Sequence, residues 1–378
     1  MLRLDATIGI LGGGQLGRML ALAAARLGFK CHVFCPEPAS PAFDVVRRVT
    51  EADYGDIAAL ARFADDVDVI TYEFESIPAA AAAFLAAQKP VLPDPRVLAT
   101  TQDRLVEKEF IASLAIPTAP FGAVASAQEI ATALDKVGHP AVLKTRRFGY
   151  DGKGQALIRR ASEAPAAFQA IGAQPAILEA FVGFEREISV VAARSADGHV
   201  ECYDVTENEH RDHILKISRA PADIPQALAE EARAIAEKIA EALDYVGVLA
   251  VEMFVLKDGT LLVNELAPRP HNSFHETEVA CSTSQFEQLI RAACDLPLGD
   301  PSALRPGAIF NLFGELWERG SPRWDAILAH PGVRLHLYGK RGARPGRKMG
   351  HLSATGSTPA EALERVTAAA AELIPKAT

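Results

Sequence analysis

The stretch VLAVEMFVLKDGTLLVNEL, residues 248–266, is the clearest local structural signal in the sequence. Two apolar runs lie on either side of Asp258-Gly259, a pair that is typical of a type I′ hairpin turn. With these two residues as the loop, Glu252 on the first strand stands directly opposite Glu265 on the second. The stretch therefore predicts an antiparallel strand pair that carries two facing carboxylates.

The facing glutamates predict a metal site. Because side chains alternate along a strand, both glutamates are expected on one face with apolar neighbours, namely Val248, Ala250, Phe254, Leu261 and Val263. Carboxylates about 5 Å apart repel each other, and a divalent cation between them removes this conflict. Hard oxygen ligands favour Mg²⁺, with Mn²⁺ as a substitute, and Mg²⁺ completes its octahedron with water and phosphate oxygens. The alternative is one carboxylate that is protonated or paired with a lysine.

A second feature is the glycine-rich stretch FGYDGKGQ, residues 148–155. Its three glycines give the backbone the freedom to fold over phosphates and to donate N–H groups. Lys144, at the end of a predicted strand, and Glu179, at the end of a later apolar run, bracket this stretch. Alone it fits a plain turn equally well, but together with the glutamate pair it indicates a nucleotide triphosphate site.

The first hundred residues alternate short apolar runs with helix-compatible segments, a rhythm typical of βαβ units around a parallel sheet. Residues 12–17, GGGQLG, follow the first strand and open a helix. Glu37, 20 residues beyond Gly17, occupies the place of the acid that binds ribose in dinucleotide sites. This pattern fits a dinucleotide site, another anionic ligand or a purely structural turn. Glu73 and Glu75 end a later strand, where they could orient an amine.

The composition restricts the classes of protein. The 378 residues predict two or three domains, and 49% hydrophobic with 23% charged residues is ordinary for a globular chain. The net charge of −9 argues against generic nucleic-acid binding, so any bound anion must meet a local basic cluster. The five cysteines form no CxxC pair, and the sequence shows neither a membrane-span pattern nor a signal-peptide pattern, which together favour the cytoplasm.

Two clusters are suited to anions. Five basic residues between 340 and 348 favour a phosphomonoester by charge and arginine geometry, with a solvated loop as the alternative. Directly after the second hairpin glutamate, residues 267–273, APRPHNS, offer donors for a small oxyanion such as bicarbonate. A zinc helix through His271 and His275 is disfavoured by Pro270 and by the lack of a third nearby ligand.

Together these motifs resemble the ATP-grasp superfamily, whose members hold ATP between two α+β lobes and form an acyl-phosphate intermediate. The resemblance implies a dinucleotide-like N-terminal domain that binds the acceptor substrate instead of NAD. It also implies that Arg104 and Lys144 contact phosphates, that Glu187 binds ribose hydroxyls, and that Glu252 and Glu265 hold Mg²⁺. The other implied nucleotide contacts are the lid residues Gly149, Tyr150, Asp151, Gly152, Lys153, Gly154 and Gln155, the adenine-facing linker Glu179, Ala180, Phe181 and Val182, and the pocket residues His210 and Asn264.

Within the superfamily, the acceptor motifs resemble the 5-(carboxyamino)imidazole ribonucleotide synthetases of purine biosynthesis, from residue 7 to about 353. This resemblance implies that ATP phosphorylates bicarbonate to carboxyphosphate, whose carboxyl group passes to the amine of aminoimidazole ribonucleotide. The implied acceptor contacts are Gly14, Gln15, Leu16, Glu73, Glu75, Arg344, Arg347 and Lys348. The implied catalytic residues are Arg269, His271, Asn272, Ser273 and Lys340.

The expected fold class is α/β and α+β, with an acceptor domain over residues 1–97, an ATP-grasp domain over 98–302 whose lid subdomain covers about 122–205, and a small C-terminal domain over 303–378. The expected partners are ATP, bicarbonate and aminoimidazole ribonucleotide, without nucleic acid or membrane, and the family implies a homodimer. The rivals are another ATP-grasp ligase such as a formate-dependent glycinamide ribonucleotide transformylase, a nicotinamide-dependent oxidoreductase, and a non-catalytic nucleotide-binding module.

Overall fold

A computed structural model describes residues 2–3, 5–147, 149, 153–318 and 320–373 of the chain. Within these ranges the strands form three sheets, each flanked by helices. None of the helices in the described ranges is long and apolar enough to cross a membrane.

A parallel sheet forms the N-terminal domain, which confirms the βαβ prediction. Its strands, in the order β3-β2-β1-β4, are β1 (Thr7–Leu11), β2 (Lys30–Phe34), β3 (Arg48–Thr50) and β4 (Val69–Tyr72). Its helices are α1 (Gln15–Arg26), α2 (Ile57–Asp65), α3 (Ala79–Ala86) and α4 (Pro95–Thr101). Because β1 and β4 are parallel neighbours, the glycine-rich turn after β1 and the acidic residues after β4 meet at one edge of the sheet.

The predicted boundary at residue 97 falls inside helix α4, so it needs correction. Pro95 occupies the first turn of α4, where its missing N–H is harmless, so it does not mark a break between domains. The Asp94 side chain caps this helix by accepting the N–H of Arg96 at 2.8 Å.

Helix α5 (Arg104–Ser113) leads into a four-stranded antiparallel sheet with its own apolar core. The strands, in the order β5-β8-β6-β7, are β5 (Phe121–Val124), β6 (Ala141–Thr145), β7 (Gln155–Ile158) and β8 (Ala176–Ala180), and the helices are α6 (Ala127–Val137) and α7 (Ala164–Ala170). This sheet ends at residue 180. Residues 186–205, which we assigned to the lid subdomain, lie in or beside the large sheet described next.

A nine-stranded sheet forms the centre of the described part of the chain, in the order β14-β13-β9-β11-β12-β15-β17-β16 with β10 paired to β9. Its strands are β9 (Arg186–Arg194), β10 (Val200–Cys202), β11 (Thr206–Arg211), β12 (Ile214–Ala220), β13 (Gly247–Val255), β14 (Leu261–Ala267), β15 (Gly307–Phe313), β16 (Val333–Leu337) and β17 (Lys348–Thr355). The helices around it are α8 (Gln226–Ala242), α9 (Thr277–Ala280), α10 (Gln285–Ala293), α11 (Trp324–Leu328) and α12 (Pro359–Glu372). Since β15 pairs with β12, the C-terminal strands continue the large sheet instead of forming a sheet of their own.

The hairpin of β13 and β14 keeps the predicted glutamate pair but not the predicted turn. Gly259 has a φ of +85° while Asp258 keeps a negative φ, so the loop is not a type I′ turn. The N–H of Gly259 donates to the carbonyl of Leu256 at 2.9 Å, which makes the loop one residue longer than expected.

A β-bulge at Asn264 compensates for the longer loop. Met253 pairs with Val263, yet Glu252 pairs with Glu265, as the sequence predicted. Because of the bulge, Leu261 and Val263 do not lie on the face of the glutamates, where the sequence predicted them. Both belong to the core cluster that also contains Val251, Met253 and Val255, on the face opposite to the glutamates.

Candidate functional site

Two carboxylates lie side by side near one end of the large sheet, because Glu252 and Glu265 are cross-strand partners. Oε1 of Glu252 lies 2.7 Å from Nε2 of His271, and Oε2 of Glu265 accepts a 2.8 Å hydrogen bond from Nη1 of Arg104. Burial raises the pKa of Glu265, but the Arg104 guanidinium outweighs burial and holds this pKa at about 2. Glu265 is therefore ionised, and the two side chains offer the oxygen ligands that Mg²⁺ prefers.

The two predicted phosphate-binding cations, Arg104 and Lys144, converge on this pair. Arg104 also donates through Nη2 to the carbonyl oxygen of Gly149 at 3.1 Å, which connects the glutamates to the glycine-rich stretch. Lys144 is the cross-strand partner of Gln155, and the positive charges of both cations lower the pKa of Glu265. Lys153 and Gly154 lie within the described chain, whereas Tyr150, Asp151 and Gly152 lie outside the described residues.

The residues predicted to face adenine lie at the end of β8. The carboxylate of Glu179 is turned inward, where Nζ of Lys144 donates to it at 3.0 Å, and this pairing outweighs burial and lowers the pKa of Glu179. The backbone N–H groups of Ala180 and Phe181 donate to the carbonyl oxygens of Pro120 and Pro140. Phe181 is half exposed and Val182 is partly buried, so this linker borders open space.

Sequence reasoning missed two buried charged residues on α5. Nζ of Lys108 donates to Oγ1 of Thr118 at 2.7 Å and lies 3.8 Å from Oε2 of Glu179. Burial, together with the charge of Glu265, raises the pKa of Glu107 to about 8. These residues follow Arg104 by three and four positions, so all three share one helix face. The sequence does contain a signal for these residues, namely charges at positions three and four after Arg104. Charged side chains on the buried face of a helix need charged or polar partners, which indicates a site there.

The pocket residues Glu187 and His210 lie on the adjacent strands β9 and β11. Nδ1 of His210 contacts Oε2 of Glu187, and this carboxylate outweighs burial and raises the pKa of His210. Asn264 occupies the bulge of β14, on the neighbouring part of the same sheet. The stacked rings of Phe184 and Phe254, with centroids 4.6 Å apart, form an apolar surface beside this group of strands.

A cluster of polar side chains follows β14, and it contains the residues that the sequence predicted to be catalytic. Nε and Nη2 of Arg269 both bind the carboxylate of Glu75, which lies after β4 of the N-terminal domain. Glu75, which we predicted to meet an amine, thus holds the arginine in place. Nδ1 of His271 lies 2.7 Å from Oγ of Ser273, so the His271 ring is fixed between this hydroxyl and Glu252.

Three residues from distant parts of the chain meet beside this cluster. Nε2 of Gln15 donates to Oδ1 of Asn272 at 2.7 Å, and Nζ of Lys340 donates to Oε1 of Gln15 at 2.5 Å. Gln15 begins α1, Asn272 follows β14, and Lys340 lies between β16 and β17. The structure therefore brings together the acceptor, nucleotide and C-terminal elements that the sequence assigned to one site.

The glycine-rich turn is closed by a carboxylate of the protein itself. Both oxygens of Glu73 accept backbone N–H groups, from Gly14 and, at 2.7 Å, from Gly17. A Cβ on Gly14 would lie 2.5 Å from Oε1 of Glu73, which explains the glycine at this position. Because Glu73 occupies the amides that a dinucleotide pyrophosphate would need, the structure argues against a nicotinamide site here. The side chain of Leu16, a predicted acceptor contact, is buried in the core and is not available to a ligand.

The predicted phosphate loop lies between β16 and β17. Nη1 of Arg347 donates to the carbonyl oxygens of Arg341 and Gly342, so this side chain fixes the loop backbone. Arg344 is exposed, and Lys348 begins β17 close to His210, whose pKa its charge lowers. The loop is thus basic, partly exposed and adjacent to the predicted nucleotide pocket.

Comparison with known proteins adds independent observations. Three protein-family models match the chain. The ribonucleotide synthetase preATP-grasp domain matches residues 5–102, and the ATP-grasp domain matches residues 109–286. The phosphoribosylaminoimidazole carboxylase C-terminal domain matches residues 307–365. The chain is 51% identical to the N5-carboxyaminoimidazole ribonucleotide synthase of Brucella melitensis biotype 1, over 93% of this chain and 97% of the relative.

Solved structures agree with these matches. An ADP complex of an N5-carboxyaminoimidazole ribonucleotide synthetase has a TM-score of 0.92 and 41% identity, covering 97% of this chain and 96% of that one. The Aspergillus clavatus N5-carboxyaminoimidazole synthase, in complex with ADP and 5-aminoimidazole ribonucleotide, has a TM-score of 0.88 and 29% identity, covering 98% of both chains.

Proposed function

This chain belongs to the family of N5-carboxyaminoimidazole ribonucleotide synthases, and we propose that it carboxylates 5-aminoimidazole ribonucleotide with ATP and bicarbonate. The products are N5-carboxyaminoimidazole ribonucleotide, ADP and phosphate, and the reaction belongs to purine biosynthesis. The observation that carries this proposal is the contact of Gln15 with both Asn272 and Lys340, because it brings a residue assigned to the acceptor next to residues assigned to catalysis.

We assign the reaction steps as follows. A bicarbonate oxygen attacks the γ-phosphorus of ATP, the bond to the β-phosphate oxygen breaks, and carboxyphosphate and ADP form. The carboxyl carbon of carboxyphosphate then bonds to the exocyclic amine of the ribonucleotide, directly or as released CO₂, while phosphate leaves and the amine loses a proton. Phosphoryl transfer depends mainly on positioning and charge neutralisation, so we expect the cations around the site to supply most of the transition-state stabilisation.

The residues of the site fit a nucleotide-bound Mg²⁺. Glu252 and Glu265 would hold it, because they are the facing carboxylates and Glu265 is ionised at neutral pH. When bound, the ion neutralises charge on the phosphates that it contacts. Arg104 and Lys144, whose charges act on Glu265, would supply the remaining positive charge.

We assign Arg269, His271 and Lys340 to bicarbonate and carboxyphosphate. Arg269 is held by Glu75, and a guanidinium has five N–H donors, so donors remain for a substrate oxyanion. His271 is oriented by Ser273 and Glu252, and Lys340 is held by Gln15.

The experiment that tests the function measures ADP release from ATP and bicarbonate, with and without 5-aminoimidazole ribonucleotide, beside a control for NADH oxidation. We expect ADP release that requires bicarbonate and accelerates with the ribonucleotide, and no NADH oxidation. Formate-dependent release of ADP with glycinamide ribonucleotide as acceptor would support the transformylase instead. An absence of ADP release with both acceptors would favour the non-catalytic module.

The basic loop gives a second prediction. Replacing Arg347 and Lys348 by alanine should raise the KM for the ribonucleotide by between about tenfold and a hundredfold, since a charge-assisted contact to phosphate contributes about 1.5–3 kcal/mol. The KM for ATP should stay within about twofold of wild type. Steady-state kinetics with each substrate varied in turn checks this.

Two controls separate phosphate recognition from a general disturbance of the loop. Arg334→Ala removes an exposed arginine from the neighbouring strand β16 and should leave both KM values unchanged. The dephosphorylated nucleoside should bind equally weakly to wild type and to the double variant. If both KM values rise together, the loop is not the phosphate site.

We also propose a homodimer in the cytoplasm. This expectation rests on the family resemblance, and the small-molecule substrates require neither a membrane nor nucleic acid.

A further inference from the structure

Three side chains with metal-binding atoms meet behind the acceptor pocket. His336 and His351 are cross-strand partners on β16 and β17, and their ring centroids are 5.1 Å apart. Glu278 on helix α9 reaches the same place, with Oε2 at 3.4 Å from Nδ1 of His336. One possible ligand atom from each residue lies within 4.8 Å of the other two.

This arrangement matches the coordination of a first-row transition metal. Two imidazole nitrogens and one carboxylate oxygen form a donor set that Zn²⁺ adopts, with bonds of about 2.0–2.2 Å and an open fourth position. A tetrahedral ion with such bonds needs ligand atoms about 3.4 Å apart. The side chains of His336 and Glu278 are 21% and 29% exposed, so both can rotate to close the remaining distance and the ion has a route from solvent.

The surrounding residues support the ligands in the way metal sites require. The hydroxyl of Tyr338 lies 2.9 Å from Nδ1 of His351, which orients the ring and leaves its Nε2 for an ion. His275 packs against His351 with centroids 4.7 Å apart, but its own ring nitrogens face Asn272 and Gln285. His275 is therefore part of the wall of the site and not a ligand.

We propose that Glu278, His336 and His351 form a binding site for a divalent transition metal ion, with Zn²⁺ as the best match. The site is separate from the magnesium site assigned to Glu252 and Glu265, because those glutamates lie on β13 and β14 at the other edge of the sheet, and its mainly nitrogen donors favour a different metal. A bound ion ties helix α9 to the strand pair β16–β17. These strands flank Lys340, and His275 connects the site to Asn272, so the ion would stabilise one wall of the acceptor pocket.

The test titrates the full-length protein with Zn²⁺ after treatment with a chelator, in the presence of excess Mg²⁺ to occupy the oxygen sites. Isothermal calorimetry should show one equivalent of Zn²⁺ bound. Co²⁺ in place of Zn²⁺ should give the visible absorption of a tetrahedral site. Zn²⁺ should also raise the Tm, because an ion that binds only the folded chain stabilises it by mass action. None of these three readouts depends on enzymatic activity.

Variants locate the site. His336→Gln and Glu278→Gln should each weaken Zn²⁺ binding at least tenfold and abolish the rise in Tm. His330→Gln is the matched control, since His330 also pairs with a glutamate, at 3.2 Å from Glu372, but lies outside the cluster. Glu278 is exposed, so its variant folds even if that of His336 does not. Wild type that binds no Zn²⁺ in excess Mg²⁺, or Glu278→Gln that binds it as wild type does, would overturn the proposal.

Discussion

Replacing Glu265 by glutamine is expected to lower bicarbonate-dependent ADP formation by about a thousandfold, equivalent to about 4 kcal/mol of transition-state stabilisation. Glutamine keeps the size of the side chain but removes its charge. The nucleotide site then loses one of its two carboxylate ligands, and Arg104 loses the partner that holds it 2.8 Å away. Steady-state ADP release, measured over a range of Mg²⁺ concentrations, checks the prediction. The defect should persist at saturating Mg²⁺.

A matched control separates this effect from damage to the sheet. Glu207 on β11 pairs with Arg186 and Arg219 at 3.0 and 2.9 Å, so Glu207→Gln breaks arginine pairs in the same sheet. Its ADP formation should equal that of wild type, and both variants should keep the wild-type circular dichroism spectrum. Near wild-type turnover by Glu265→Gln would show that this carboxylate does not hold the metal.

The facing glutamates were predicted from the sequence although the predicted turn between their strands is wrong. The loop at Gly259 is one residue longer than the predicted turn, and the bulge at Asn264 adds one residue to the second strand. The two changes cancel, so Glu252 still faces Glu265. Asp258-Gly259 indicates where the chain turns, but the type of turn and the bulge depend on how the strands pack against their neighbours, which a single sequence does not reveal.

The partners of the site residues were the least predictable part. Glu73 and Glu75 were identified as important from their place at a strand end, but their contacts were not. Glu73 binds Gly14, 59 residues away, and Glu75 binds Arg269, 194 residues away. The first pairing arises when β1 and β4 become neighbours in the parallel sheet, and the second when the N-terminal domain packs against the residues that follow β14. Local patterns therefore indicate which residues belong to the site, and the tertiary structure decides what each one holds.

These pairings explain how an acidic protein of net charge −9 keeps cations ready for anionic substrates. Arg104 is held by Glu265, Lys144 by Glu179 and Arg269 by Glu75. Each carboxylate stabilises a partly buried cation, whose loss of water contacts would otherwise be costly. Because arginine and lysine donate several hydrogen bonds, one protein partner fixes the cation while other donors remain for phosphate or bicarbonate.

Arg269→Lys is expected to lower kcat by between about a hundredfold and a thousandfold, the range found when a single oxyanion donor is removed from a preorganised site. Lysine keeps the positive charge but cannot make the bidentate contact by which Glu75 fixes the guanidinium. The KM for ATP should stay within about twofold of wild type, since the assigned nucleotide cations are Arg104 and Lys144. Steady-state kinetics with ATP and bicarbonate varied in turn checks both parameters.

Arg291→Lys is the matched control for this variant. Nε and Nη2 of Arg291 donate to Glu287 at 3.0 and 2.7 Å, so the substitution breaks a similar pair on helix α10, outside the assigned site. Its kcat should equal that of wild type. If Arg269→Lys also turns over as wild type does, then Arg269 does not hold the oxyanion.

Glu75→Gln distinguishes contact with the oxyanion from positioning. It leaves the Arg269 guanidinium in the site but removes the charge that fixes it, so the fall in kcat should be only about tenfold. A larger fall than that of Arg269→Lys would mean that Glu75 itself meets the reacting groups, as the sequence first indicated. A smaller fall, with the KM for bicarbonate raised in both variants, assigns oxyanion binding to Arg269 and positioning to Glu75.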